Sequence, residues 1–170
     1  LQGFFLQFAF LYAPLVHSPT EKVTPFLYRG HDPSTKEIKA LHDLGIKTIV
    51  SLRTNPQSRK RRLCQKLGMD WVLIKTGVFL TPTFSQLDEF RAIVNDPASH
   101  PCYVCCEIDM DRTSVYIGAY RMVDQNWTAE QMRDELEHHH PKRWWPTFRK
   151  YERIIIAYAR DRQMPKLETK

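Results

Sequence analysis

The sequence predicts an α/β fold, a central mostly parallel sheet with helices on both faces. Three observations carry that expectation. Four short β-type runs alternate with three helical segments between Phe26 and Cys106. The helical segments open and close on capping punctuation. A chain of 170 residues, 42% hydrophobic and 26% charged, is long enough for one domain with its own core and too short for two.

In order, "FLYRG" is a short strand ending at Gly30. "DPSTKEIKALHDLG" reads as a helix with Ser34 or Thr35 as N-cap and Gly45 as its stop. "IKTIVSL" is a β-branched strand buried on both faces, and "NPQSRKRRLCQKLG" is a second helix with proline before it and glycine after. "MDWVLIK" is a third strand and "TGVFLTPT" a loop. Phe84, Leu87, Phe90, Ile93 and Val94 recur at helical spacing, and "PCYVCC" is the next strand. "RTSVYIGAYRMV" is apolar almost all round, as a central buried helix would be. Thr128 and Gln131 form a capping box for "AEQMRDELEHH", and "WWPTFRKYERIIIAYARDR" is a final amphipathic helix.

Residues 1–25 are expected to be an apolar N-terminal segment and linker, residues 26–162 the folded domain, and residues 163–170 a C-terminal tail. The run from Phe4 to Val16 is apolar and uncharged but shorter than the ~20 residues a bilayer span needs. It fits the stump of a signal or anchor helix, an extension packed on the domain, or an interfacial segment that associates with a membrane. "HSPTEKVTP" reads as a linker. Cytoplasmic and membrane-associated locations both stay open, and nothing in the pattern calls for more than a monomer.

Cys102, Cys105 and Cys106 crowd one strand and its exit, where neighbouring side chains point to opposite faces. That is no disulfide scaffold, and Cys102 and Cys105, spaced C-x2-C, have no matching second ligand pair, so neither metal nor cofactor is expected. His138 to His140 read as a helix end rather than ligands, and Trp144 and Trp145 as packing residues. The net charge of +6 sits largely in "RKRR", Arg59 to Arg62, and in "KRWWPTFRK", Lys142 to Lys150. Each run is a solvated helix face or the footprint of an anionic partner such as an acidic protein or a lipid headgroup. No nucleic-acid motif accompanies them.

The chemistry concentrates in "CCEIDMDRTS", Cys105 to Ser114. A strand, a tight loop and a helix N-terminus make an anion site, because loop amides and first-turn N–H groups converge there. Cys106 opens this loop and Arg112 closes it. Positive potential at that position favours a thiolate nucleophile, and the Arg112 fork can hold two oxygens of a phosphate. The Thr113 hydroxyl follows, within reach of the sulfur as a leaving group.

Together with "LYRGHDPSTKEIKALHDLGIKTIVSLR" and "RWWPTFRKYERII", this loop resembles the cysteine-based dual-specificity and tyrosine phosphatases, most closely the compact bacterial and plant members. The resemblance spans roughly residues 26 to 160. It implies the phosphatase-like strand, CX5R loop and helix, with Cys106, Asp111, Arg112 and Thr113 as the catalytic set and Glu107, Ile108, Asp109 and Met110 as the phosphate-binding loop. Arg29 and Arg53 fall where the family has arginines that brace the sheet or the loop. Cys105, Arg53 and Ser114 are supporting residues.

Three departures bear on activity. Cys105 stands where the family has the histidine that orders the loop, and Asp109 and Ser114 stand where it has glycine. Aspartate tolerates a left-handed backbone better than most residues, so the turn can survive. The acids Glu107, Asp109 and Asp111 outnumber Arg112, which weakens phosphate binding unless some point away. The loop after the third strand, "KTGVFLTPT", has no carboxylate to act as general acid, and Asp70 and Asp88 lie in flanking elements. That leaves Asp111, where myotubularin and Sac-type lipid phosphatases also carry Asp-Arg-Thr. The expected function is hydrolysis of a phosphorylated protein, lipid or small molecule through a cysteinyl-phosphate. The alternatives are a pseudophosphatase, a phosphate-binding or scaffolding module with a degenerate loop, and a sulfur carrier, which would need neither Arg112 nor Thr113.

Overall fold

The computed structural model describes residues 20–78, 80–139 and 146–163. Expectations for Phe4 to Val16, His140, Trp144 and Trp145 fall outside them. The elements are β1 (Glu21–Thr24), β2 (Leu27–His31), α1 (Thr35–Asp43), β3 (Thr48–Ser51), α2 (Ser58–Lys66) and β4 (Asp70–Leu73). They continue with α3 (Phe84–Asn95), β5 (Cys102–Cys106), α4 (Asp111–Asp124), α5 (Ala129–His139) and α6 (Pro146–Gln163). Among the described residues no helix is long and apolar enough to cross a membrane.

Strand order is β1-β2-β5-β3-β4, parallel except for the antiparallel β1–β2 pair. This is the α/β fold read from the sequence, with one correction. Glu21–Thr24, taken as linker, is an edge strand in which Glu21 pairs with Arg29 and Lys22 with Tyr28. Four residues of mixed polarity are too few to display a period. His139 helps to hold it, its Nε2 lying 3.5 Å from Glu21 Oε1. His139, the last residue of α5, thus contacts the edge strand.

The capping boxes are formed at Ser34 with Glu37, Thr83 with Gln86 and Thr128 with Gln131. α2 differs, since its N-cap is Gln57 in a left-handed conformation (φ 45°) with no side-chain cap. Side chains alternate along β5: Cys102, Val104 and Cys106 enter the core under α3 and α4, while Tyr103 and Cys105 enter the core under α1 and α2. All four cysteines are free. α4 is buried along most of its length, packing on the sheet and beneath α5 and α6, where Val115, Met132, Tyr151 and Ile155 make a further core. Gly30 is required by close packing, because a Cβ there would lie 2.1 Å from the Tyr103 hydroxyl, which donates to His31 O.

β5 is the middle strand, flanked on both sides by parallel neighbours. Loops leaving the carboxyl ends of β2, β3 and β5 therefore meet at one place, where open α/β sheets build their sites.

Candidate active site

Cys106 is the last residue of β5 and is 2% exposed. Glu107 to Met110 form the loop, and α4 begins at Asp111 with Met110 as N-cap and no side-chain cap. The first-turn N–H groups of α4 are thus left for another acceptor. Asp109 adopts φ 56°, so aspartate does fill the left-handed position expected of it.

Arg112 is 6% exposed, and its Nη1 donates to Leu52 O at 3.0 Å and to Thr76 O at 3.3 Å. Those carbonyls follow β3 and β4, so two separate crossovers fix one guanidinium. Its Nη2 lies 4.0 Å from Glu107 Oε2. Thr113 is wholly buried, and its Oγ1 has no hydrogen-bond partner among the described residues.

Arg29 braces the loop from β2. Wholly buried, it donates through Nε to both Asp109 carboxylate oxygens at 3.1 Å, and through Nη2 to Asp109 O at 3.0 Å and Ser114 Oγ at 2.9 Å. Burial pushes the Asp109 carboxyl up from its ordinary range, and Arg29 pulls against that. Glu135 of α5 approaches Arg29 Nη1 at 3.8 Å and also pairs with Arg121. Asp109 and Ser114, which replace glycines of the resembled family, are therefore both partners of one buried cation.

Arg53, just beyond β3, pairs with Glu107 at 2.8 Å and lies 3.6 Å from Asp32. Asp32 also holds Lys60 at 2.7 Å and Gln57 at 2.7 Å, and Gln57 accepts from Ser51 at 2.9 Å. The acid load read in the loop is thereby divided. Asp109 is committed to Arg29, whereas Glu107, 58% exposed, spans Arg53 and Arg112. Ile108 is also exposed and Met110 half-buried.

Cys105 is sealed on the opposite face, where burial, aided by the Asp32 charge, pushes its thiol well up. Burial also raises Cys64 to about 11 and Cys102 to about 12. Asp70 and Asp88 stay outside the cluster, and Asp88 pairs instead with Arg162 and Tyr158 of α6.

Sequence reading missed Tyr151. It lies in α6, 2% exposed, and its hydroxyl has no hydrogen-bond partner among the described residues. Burial raises its pKa, with the charges of Asp111 and Cys106 adding and that of Arg112 opposing. Its hydroxyl thus lies within electrostatic reach of the loop. In the sequence it looks like any core residue, four before Ile155 on an apolar stripe.

A buried thiol at a strand end, an uncapped helix N-terminus and a carbonyl-fixed arginine six residues on are what the resemblance to the cysteine-based dual-specificity and tyrosine phosphatases implies. Residues 16–144 match the family described as DSP-PTPase phosphatase fused to NAD+ kinase, and the chain belongs to that family. Among solved structures it is similar to the core catalytic domain of the PP-IP phosphatase SIW14 from S. cerevisiae, at 25% identity over 84% of this chain and 87% of that one, with a TM-score of 0.71. It is also similar to P. aeruginosa TpbA in complex with pTyr, at 20% identity over 84% and 83% of the two chains, TM-score 0.62. A third is a DUF442 protein from Shewanella putrefaciens, at 17% identity over 82% and 89%, TM-score 0.65. No match was found among curated proteins.

Proposed function

We propose that the domain hydrolyses phosphate monoesters through a cysteinyl-phosphate on Cys106. One observation carries this reading: Arg112, anchored by Leu52 O and Thr76 O, closes the same loop that Cys106 opens, over a helix N-terminus with no side-chain cap. The Cys106 thiolate attacks phosphorus, and the S–P bond forms as the ester P–O bond breaks. The leaving oxygen takes its proton from Asp111. Water then attacks phosphorus and gives a proton to the Asp111 carboxylate, and the thiolate departs with the Thr113 hydroxyl donating to it. Loop amides and Arg112 hold the phosphoryl oxygens throughout. The substrate is a phosphorylated molecule; SIW14 is a PP-IP phosphatase, and TpbA binds pTyr.

The test is hydrolysis of nitrophenyl phosphate by wild type and Cys106→Ser. Turnover should vanish in the variant. In wild type at mildly acidic pH, iodoacetamide should label Cys106 alone, because burial holds the other three thiols up. Turnover surviving in Cys106→Ser, or equal labelling of all four, would overturn the assignment.

Glu107 favours a second reading, a pseudophosphatase. Its carboxylate sits on Arg53 and beside Arg112, where an incoming phosphate must displace it. Glu107→Gln should therefore tighten vanadate binding roughly tenfold, an effect limited by the exposure of Glu107. Calorimetric titration reads it directly. Unchanged affinity would show that the carboxylate swings clear at no cost. Vanadate bound by a wild type that turns over no substrate would favour the pseudophosphatase.

A further inference from the structure

Two depressions on the α1–α2 side run together and lead to the catalytic loop. One, of about 460 Å³, lies between α1 and α2 and is lined by Lys36, Lys39, Arg59, Arg62 and Lys66. The other, of about 450 Å³, shares Thr35 and Arg59 with it and extends past Lys60 to Arg53. Arg53 is the guanidinium that holds Glu107, so the groove opens beside the residue after Cys106.

The five cations of the first depression are exposed, and none pairs with a carboxylate among the described residues. The second depression has a single acid, Asp32, already engaged by Lys60, Gln57 and Arg53. α2 does not need this charge to fold. It buries only Cys64 and has no acid in its first turn, and its cations three and four residues apart repel one another. Arg59, Arg62 and Lys66 stand at i, i+3 and i+7, one stripe about 10 Å long. That length matches roughly three residues of extended chain.

We propose that this groove docks the acidic segment of a phosphorylated protein, bound alongside the residue whose phosphate enters the loop. The proposal rests on the phosphatase reading and names its substrate class. Concavity favours a peptide over a bilayer surface, since a chain can lie between two helices where a plane of headgroups touches only their crests. Continuity with Arg53 puts the segment within reach of the reacting phosphate.

The experiment compares two phosphotyrosine peptides of equal length, one with Asp and Glu on both sides of the phosphotyrosine, the other with Asn and Gln in their place. Wild type should prefer the acidic peptide about tenfold in kcat/KM, through KM, and 0.5 M salt should abolish the preference. The Lys39→Glu, Arg62→Glu, Lys66→Glu triple variant should lose it while keeping its rate on nitrophenyl phosphate. Equal kcat/KM for both peptides with wild type, at low salt and with normal turnover, would overturn the groove and leave the phosphatase reading intact. Fluorescence anisotropy of an unphosphorylated acidic peptide provides the converse: binding without turnover of any substrate would uphold the groove and sink the phosphatase. Loss of binding to phosphatidylserine vesicles in the triple variant, with both peptides treated alike by wild type, would assign the face to lipid and overturn the proposal.

Discussion

Asp109→Gly is expected to lower stability by about 2 kcal/mol, although glycine suits the left-handed turn better than aspartate does. Two effects oppose each other. Relief of a non-glycine residue at φ 56° is worth about 1 kcal/mol. Breaking a buried ion pair by removing one partner costs about 3 kcal/mol here, the low end of the usual range because Asp109 is 19% exposed, since the remaining charge stays buried. Arg29 is wholly buried and would keep only Ser114 Oγ, the residue 109 carbonyl and a distant Glu135. The net loss should lower Tm by roughly 4–8 °C for a domain of this size. Adding Arg29→Met should recover much of that loss, since no orphaned cation then remains. An unchanged Tm in Asp109→Gly would show that Ser114 and Glu135 satisfy Arg29 without the carboxylate. Read from sequence, the same substitution relieves the loop of negative charge. In the structure that carboxylate is spent on Arg29, and Glu107 is the acid that lies across Arg53 and Arg112.

Asp111→Asn is expected to slow hydrolysis of alkyl phosphates by about 10²–10⁴ while hardly changing the rate on nitrophenyl phosphate. An alkoxide leaving group needs a proton and a nitrophenolate does not. Asp111 opens α4, one residue before Arg112, and the Tyr151 hydroxyl feels its charge. Asparagine keeps the shape and much of the hydrogen bonding, so the loss should fall on proton transfer. The pH profile provides a second readout: the limb belonging to the acid should disappear for the alkyl substrate. Equal losses on both substrates with a lower Tm would mean that Asp111 only holds the loop.

The elements of this fold were legible because each is written in local code. Thr128 with Gln131 reads as a capping box and Ser34 as an N-cap, and the structure forms both; Thr83 with Gln86 makes a further box. β5 shows itself as an apolar run, and the CX5R loop as a spacing between its end and the start of α4. β1 escaped because an edge strand of four residues has no period to display. The left-handed cap at Gln57 escaped because nothing in "NPQS" requires it.

The positions of Cys106 and Arg112 at the two ends of one loop followed from the chain alone, because the apolar strand ends at the cysteine and the helix begins beside the arginine. Their surroundings did not. Arg29 meets Asp109 across 80 residues, Arg112 meets Leu52 across 60, and Tyr151, on the last helix, is influenced by the charges of Asp111 and Arg112. Such partners depend on β5 lying between β2 and β3, and hydrophobic periodicity is the same for any strand order. Charges can be counted in a sequence, but whether two of them neutralise each other depends on a few ångströms between elements remote along the chain. That distance commits Asp109 to a buried arginine and leaves Glu107 across the guanidinium groups of Arg53 and Arg112.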